Sequence, residues 1–229
     1  MVKKITVLTI FPEIIESYIS KSIPKRAQLK GLVEIEVVNI RSHPQEQVDD
    51  YAYGGGSGMV LKIEPILSRL RERDLLKDRV IYLTPSGKTL NNEMAKGLSE
   101  CGENLVLICG HYEGIDERLS KYIDEEISIG DYVLSSGELS ALVLLDSVVR
   151  LIPKVISEHS LKSESFSDYL LDYPVYTRPQ EFEGDKVPEV YLSGDHKAIE
   201  EYRLEMRKKI TKEKRPDLYE KYLKLNEST

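Results

Sequence analysis

The chain has 229 residues, which suits one large domain, or a domain of about 150 residues with a smaller one. Apolar residues make up 41% of it, enough for a core, and no apolar run approaches the roughly 18 residues of a membrane-spanning helix. The N-terminal apolar run is too short for a signal peptide. Cys101 and Cys109 fit neither a zinc site nor a disulfide framework, so we expect reduced thiols in a cytoplasmic protein without a membrane partner.

Strand-like and helix-like segments alternate along the N-terminal part of the chain. Short apolar runs predict strands, and the segments between them have helical spacing. This alternation implies an α/β fold with a largely parallel sheet. The predicted strands are Lys4–Ile10, Leu32–Ile40, Val80–Thr84 and Asn104–Cys109, and the predicted helices between them include Pro65–Leu76 and Asn91–Glu100.

A further segment, Leu139–Ile152, is almost wholly apolar and predicts a buried helix. Ser135 and Glu138 have the spacing of a capping box at its start. Asp146 and Arg150 interrupt it four residues apart, on one face. An arginine in so apolar a helix needs a partner, which is either Asp146 or a ligand.

The C-terminal part differs in composition. Five serines and scattered charges at 157–167 read as a linker, and Ala198–Ile210 and Pro216–Lys224 read as helices. Residues 197–229 carry ten Lys or Arg against seven Asp or Glu, so this tail is basic although the whole chain has a net charge of −7. That asymmetry suits either a polyanion held at one end or an ordinary solvated helical surface.

Two glycine-containing turns each follow a strand-like or β-branched run: Cys109–Arg118 and Ile129–Glu138. Glycines let a backbone approach a ligand closely, and each turn also offers an aromatic ring. Ligands of open α/β sheets bind outside the carboxyl ends of the strands. The two turns, with the end of the Val80–Thr84 strand, therefore predict one pocket built mainly from backbone.

Other motifs are less informative about function. Pro85–Thr89 resembles the end of a phosphate-binding loop, but the glycine required five residues before Gly87 is Tyr82. The glycine-dense segment Tyr53–Met59 is either a flexible loop or a lid or floor beside a ligand. The four histidines show no ligand spacing, so we expect no metal site from the residues themselves.

Taken together, several long motifs in order resemble the bacterial tRNA (guanine-N1)-methyltransferases, over nearly the whole chain. They are the two turns, Tyr53–Met59, Asp172–Pro179 and Val187–Gly194. The resemblance implies the knotted SPOUT fold: an α/β parallel sheet with a deep trefoil knot around 82–138, plus a small helical C-terminal domain. It implies a catalytic domain at 1–156 that binds S-adenosylmethionine, a flexible linker at 157–176 and a tRNA-binding domain at 177–229.

By the same resemblance, the enzyme methylates the guanosine at position 37 of tRNA, next to the anticodon. The implied partners are the tRNA anticodon arm and a second copy of the chain, with the active site between the two subunits. No DNA partner is expected. Magnesium dependence is also a family trait. The implied cofactor residues are Tyr82, Leu83, Thr84, Pro85, Gly110, Ile129, Gly130, Asp131, Tyr132, Val133, Leu134 and Gly137, and the implied substrate residues are Glu113, Tyr112, Asp49, Gly55 and Gly58.

The resemblance implies two catalytic residues. Arg150 would stabilise negative charge on guanine O6, to which its permanently charged planar fork is suited. The general base of the family is an Asp before Ser-Phe, and this chain has Glu164 there. Glu164 is the expected base, with Asp168 as the alternative. Ser136 and Ser140 also stand where the family usually has Gly and Pro.

Two other functions fit less of the sequence. A non-catalytic RNA-binding module with a residual cofactor pocket would explain the replacement of the usual Asp by Glu164. A related SPOUT enzyme with another target nucleotide would share the turns, but the match to the linker and C-terminal motifs argues against it.

Overall fold

The computed structural model describes residues 1–157, 160–161 and 164–227. The parts of the predicted linker and basic tail at 158–159, 162–163 and 228–229 lie outside these residues. The chain divides into two compact units, Met1–Ser157 and Glu158–Thr229. Among the described residues, no helix is both long and apolar enough to cross a membrane.

The first unit contains seven strands and five α-helices. The strands are β1 (Lys4–Thr9), β2 (Glu34–Asn39), β3 (Asp49–Tyr51), β4 (Met59–Leu61), β5 (Arg79–Thr89), β6 (Leu105–Cys109) and β7 (Glu125–Ser128). The helices are α1 (Pro12–Ile19), α2 (Ser22–Leu29), α3 (Ile63–Glu72), α4 (Asn92–Glu100) and α5 (Glu138–Val149), with short 3₁₀ turns at Leu75–Lys77 and Glu117–Tyr122.

Five of these strands form one parallel sheet in the order β2-β1-β6-β5-β7. This confirms the predicted α/β class with a parallel sheet. Strand β6 is buried at every position, as expected for a central strand covered on both faces. One core cluster contains Leu105 and Leu107 with the apolar residues of α5, and the other contains Val106 and Ile108 with those of α3.

Strand β5 is longer than the predicted Val80–Thr84 because it resumes pairing with β7 after a register shift between Leu83 and Lys88. Gly87 lies against the backbone of Glu126 and Ile127, where a Cβ atom would clash. The segment that resembles a phosphate loop is therefore strand, which agrees with its rejection as a nucleotide-binding motif.

The start of α5 differs from the prediction. Its N-cap is Gly137, and no side chain caps it, so the capping box of Ser135 and Glu138 was wrong. Glu138 is instead 1% exposed and accepts a hydrogen bond from Thr9 Oγ1 at 2.5 Å. Glu138 takes this role because of a tertiary contact. The end of β1 lies beside the start of α5 and supplies a hydrogen-bond donor that the local sequence lacks.

The described residues of the second unit include a two-stranded hairpin and two longer helices. Its elements are β8 (Glu181–Phe182), β9 (Asp185–Lys186), a 3₁₀ turn at Glu189–Leu192, α6 (His196–Lys214) and α7 (Pro216–Glu227). The Asp195 side chain caps α6 by accepting from the backbone N–H groups of Lys197 and Ala198. Among the residues of this unit that the structure describes, the buried ones are Leu170, Arg207, Thr211 and Leu218.

Candidate active site

The site lies where three neighbouring parallel strands end. Tyr82 to Pro85 belong to β5, Gly110 directly follows β6, and Ile129 directly follows β7. Because β6, β5 and β7 are adjacent and parallel, these three segments meet at one edge of the sheet. This is the edge at which open α/β sheets bind ligands.

A cavity of about 250 Å³ opens at this edge, close to the lower end of the ~300–1,000 Å³ typical of small-molecule sites. Every predicted cofactor residue except Asp131 belongs to its described lining, and so do Tyr112 and Glu113. The lining also includes His111, Gly114, Ser135 and Ser136, which lie within the two predicted turns but were given no role, and Ile127, Ser128 and Ser140, which lie outside the turns. The position of Ser128 at the carboxyl end of a parallel strand could have revealed it.

Backbone groups form much of the cavity wall. The Gly137 N–H donates to the Gly110 carbonyl at 2.8 Å, which joins the two glycine turns. A Cβ atom on Gly137 would lie 2.7 Å from the Gly110 nitrogen and 2.9 Å from Cys109 Cα. A Cβ atom on Gly110 would lie 2.9 Å from the Tyr82 hydroxyl. Both glycines are therefore required for these close approaches.

Two polar rings, those of Tyr82 and His111, line the cavity. Burial raises the pKa of Tyr82, and the nearby Glu126 acts in the same direction, so the phenol stays protonated at neutral pH. The Nδ1 atom of His111 is buried without a hydrogen-bond partner among the described residues. Both side chains therefore offer hydrogen-bonding atoms to a bound molecule.

The glycine-dense loop contacts the first turn. The Glu113 N–H donates to the Met59 carbonyl at 3.0 Å, and a Cβ atom on Gly58 would lie 2.5 Å from Glu113 Oε1. Gly55 has open space around it, and Asp49 pairs with Leu61 in the β3–β4 hairpin. Of the predicted substrate residues, Glu113 and Tyr112 line the cavity, Gly58 contacts Glu113, and Asp49 and Gly55 are outside the described lining.

Arg150 is at the other end of the helix that starts beside the cavity. Gly137 and Arg150 flank the 12 residues of α5, which places their Cα atoms about 20 Å apart at 1.5 Å per residue. The structure therefore does not bring the Arg150 of one chain to the cavity of that chain. Asp146, its suggested partner, accepts a hydrogen bond from the Tyr18 hydroxyl at 2.7 Å.

The two candidate bases belong to the second unit. Asp168 accepts hydrogen bonds from Arg207 Nη1 at 3.0 Å and from Nη2 at 2.6 Å, so both of its oxygens are engaged. The Arg207 side chain is 9% exposed. Glu164 lies in a turn, where its carbonyl accepts a hydrogen bond from the Ser167 hydroxyl at 2.9 Å.

The described residues do not form a protein-only metal site. Nowhere in 1–157, 160–161 and 164–227 do three or more His, Cys, Asp or Glu side chains come together in a group that could hold an ion. They therefore do not fit a magnesium ion held by three or more such side chains.

The sequence also matches known proteins. The profile of the family described as "tRNA (Guanine-1)-methyltransferase TrmD" matches residues 3–221. The tRNA (guanine-N(1)-)-methyltransferase of Mycoplasma pneumoniae is 52% identical over 223 residues, covering 96% of each chain. Its counterpart in Clostridioides difficile is 52% identical over 224 residues, covering 94% of this chain and 96% of the relative. Matches of this length favour an enzyme over a non-catalytic module, and the chain belongs to the tRNA (guanine-1)-methyltransferase family as a methyltransferase.

Proposed function

We propose that this enzyme transfers a methyl group from S-adenosylmethionine to N1 of the guanosine at position 37 of tRNA, next to the anticodon. The observation that carries the proposal is the cavity, in which the predicted cofactor segments of β5 and of both glycine turns come together. The names of the relatives specify guanine N1 in tRNA. The proposal places the enzyme in the cytoplasm with its tRNA substrate.

The cavity residues suit S-adenosylmethionine because closely approaching backbone supplies both shape and hydrogen bonds. Gly110, Gly137 and the 129–134 turn would hold the nucleoside and amino-acid parts, with Tyr82 to Pro85 alongside. When bound, S-adenosylmethionine supplies an electrophilic sulfonium methyl group. We include in the proposal a trefoil knot around 82–138, which would fix these segments relative to one another.

Three side chains are assigned to the guanine. Its N1 carries a proton at neutral pH and becomes nucleophilic when a base removes that proton. Glu164 is the proposed base, Arg150 stabilises the negative charge that gathers on O6, and Glu113 contacts the guanine from the cavity wall. The nitrogen then attacks the methyl group in line with the departing sulfur, so no covalent enzyme intermediate forms.

The structure favours Glu164 over Asp168 for the base. Asp168 accepts two charge-assisted hydrogen bonds from the nearly buried guanidinium of Arg207, which occupy both of its oxygens. Its oxygens would also have to leave Arg207 before they could reach a guanine. Glu164 occupies the position before Ser-Phe at which the family has its base, in a turn where its carbonyl accepts a hydrogen bond from the Ser167 hydroxyl.

The position of Arg150 supports a dimer with the active site between subunits. Since Arg150 lies about 20 Å along α5 from the cavity edge, an Arg150 at this cavity would have to come from a second copy. Exposed apolar side chains on two helices that contact each other offer a surface for that copy: Leu139 and Val143 on α5, and Ile14 and Tyr18 on α1. Two α5 helices packed antiparallel would bring each Arg150 toward the cavity of the partner.

The basic helices α6 and α7 are the proposed surface for the anticodon arm. Phosphate contacts of Lys and Arg supply most of the non-specific affinity of RNA-binding surfaces and weaken with salt. A tRNA affinity that falls steeply with ionic strength is therefore part of the proposal.

Methyl transfer from labelled S-adenosylmethionine tests the proposal. We expect label in a tRNA with guanosine at position 37 and none when that base is replaced by adenosine, with a mass shift of one methyl mapped to that nucleotide. Label that persists after the replacement would show that another nucleotide is the target. Sedimentation at several protein concentrations tests the dimer, which Leu139→Glu should dissociate.

A further inference from the structure

The second unit has a cavity of its own. It has a volume of about 530 Å³, within the ~300–1,000 Å³ range of small-molecule sites. We call it the Tyr–Arg pocket. Its lining is Tyr173, Pro174, Val175, Tyr176, Thr177, Arg178, Gln180, Val187, Tyr191, Leu192 and Arg203. All of these residues belong to Glu158–Thr229, and none has a role in the mechanism above.

Aromatic rings and a guanidinium plane form the pocket walls. The rings of Tyr176 and Tyr191 have centroids 5.6 Å apart, and the Arg203 guanidinium carbon lies 4.7 Å from the centroid of Tyr173. The Tyr191 hydroxyl donates to the Pro174 carbonyl at 3.3 Å, which fixes one ring. Tyr176 is 50% exposed, so part of its ring faces solvent. Aromatic and arginine planes of this kind stack with unpaired nucleobases.

The pocket also has hydrogen-bond donors that the described chain leaves unused. Arg203 donates through Nη1 to Glu200 at 2.6 Å, but its Nε is buried without a partner. Arg178 is exposed and makes no hydrogen bond or ion pair with a described residue. A buried donor without a partner is unfavourable, so an occupant that accepts a hydrogen bond from Arg203 Nε would be stabilised.

The charged residues in and near the Tyr–Arg pocket indicate which kind of chemical group can bind there. The described lining contains two arginines and no carboxylate. Glu181 and Glu183 follow directly in the β8 hairpin, so a phosphate there would meet repulsion. A nucleobase is neutral, has a flat face for the tyrosines and carries ring and carbonyl acceptors for the arginines.

We propose that the Tyr–Arg pocket binds one unpaired nucleobase of the tRNA, at a site separate from the guanosine that is methylated. This inference rests on the proposed function, because it takes tRNA as the substrate. Stacking in the pocket would add affinity and orient the RNA without taking part in methyl transfer. The pocket is therefore assigned to substrate binding, and its loss should raise KM for tRNA and leave kcat unchanged.

The test combines substitutions with single abasic nucleotides in the tRNA. Loss of stacking on one base is worth about 1–3 kcal/mol, so Tyr176→Ala should weaken tRNA binding about 5- to 150-fold. Tyr176→Phe keeps the ring and should bind as the native protein does, and Arg178→Ala should weaken binding less than Tyr176→Ala. Phe182→Ala is the matched control, because Phe182 is 65% exposed and lies outside the described lining.

The abasic series identifies the base. We expect one unpaired position at which removal of the base weakens binding to the native protein but no longer affects Tyr176→Ala. Thermal unfolding of each variant shows that the fold is retained. Equal losses at every position, or unchanged affinity of Tyr176→Ala, would overturn the proposal. A Tyr176→Ala variant that changes the oligomeric state at constant RNA affinity would also overturn it and assign the pocket to a second copy.

The outcome is independent of the methylation assay. If position 37 is not the methylated nucleotide, the binding measurements still show whether one base depends on Tyr176. If position 37 is methylated and no base depends on Tyr176, only the inference about the pocket fails.

Discussion

Arg207 donates two hydrogen bonds to Asp168, at 3.0 and 2.6 Å, and so ties the segment after Glu164 to helix α6. Its Nε also donates to the Leu171 carbonyl at 3.2 Å, and the Leu171 N–H donates to Thr211 Oγ1 at 2.8 Å. The segment called a linker is therefore held at several points along its second half. We infer that Asp168 is a positioning residue for the loop that carries the proposed base.

Exchange of each carboxylate for an amide separates the two candidates for the base. Glu164→Gln should lower the single-turnover rate of methyl transfer about 100- to 10,000-fold, the usual contribution of general base catalysis. Asp168→Asn should lower the free energy of unfolding by about 1–3 kcal/mol and the rate by less, because it weakens the bonds from Arg207. Rapid-quench assays and urea unfolding measure the two effects.

Arg207→Lys is the control for this pair, since it keeps the charge but loses the fork. It should behave like Asp168→Asn in both measurements. A large loss of rate in Asp168→Asn at unchanged stability, with none in Glu164→Gln, would instead make Asp168 the base.

A Cβ atom at position 58 should disturb Glu113. In Gly58→Ala it would lie 2.5 Å from Glu113 Oε1, at a φ of +92° that costs an L-residue about 1–2 kcal/mol. We expect kcat/KM for tRNA to fall about tenfold or more, since about 1.4 kcal/mol of lost transition-state stabilisation corresponds to tenfold. The dissociation constant of S-adenosylmethionine, measured by calorimetry, should stay within a factor of about two of the native value. Such a factor corresponds to a change in binding free energy of about 0.4 kcal/mol.

Gly55→Ala is the matched control, because it has a φ of +81° with no atom within 4 Å of the added Cβ. It shares the backbone strain of Gly58→Ala without the contact to Glu113. If both variants lose the same activity, strain in the loop and not the position of Glu113 is responsible.

Gly137→Ala should damage the cavity itself. The added Cβ would lie 2.7 Å from the Gly110 nitrogen, and backbone on both sides cannot yield as a flexible side chain would. We expect weaker binding of S-adenosylmethionine, by about tenfold or more, together with a loss of stability of about 1–3 kcal/mol from overpacking. Isothermal calorimetry and urea unfolding test this.

Gly97→Ala provides the comparison for this substitution. Gly97 lies within α4 and has no atom within 4 Å of the added Cβ, so the variant should gain about 0.5–1 kcal/mol of stability and bind the ligand normally. Unchanged ligand binding in Gly137→Ala would show that the glycine turns do not shape the cofactor site.

The two cysteines should differ in reactivity. Cys109 is 1% exposed, and its burial, followed by the nearby Glu138, raises its thiol pKa well above 9.0, whereas Cys101 is partly exposed. Because the native pKa is the higher one, the stabilisation from the protonated thiol is present below pH 9 and is lost as the pH rises through the native value. At pH 8, iodoacetamide should modify Cys101 first, as followed by peptide mass spectrometry.

Denaturant provides the control, since both cysteines should react at similar rates in the unfolded chain. Modification of native Cys109 as fast as Cys101 would contradict the burial of the strand end beneath the cavity. Cys109→Ala should remove the stability change between pH 8 and 10 that this thiol contributes.

The sequence by itself determined the α/β class, the parallel sheet and the segments that form the cavity, because these depend on local signals. Alternating apolar runs specify strands, and glycines after strand ends mark close backbone approach. The order of motifs also identified the family before any contact was known. Only the tertiary structure decided which partners distant residues have. Thr9 donates a hydrogen bond to Glu138, which the sequence had predicted to cap a helix, and Arg207 donates to Asp168. Arg150 follows α5 and lies about 20 Å from the cavity edge of its own chain. Such pairings join residues far apart in sequence, and no local propensity encodes them.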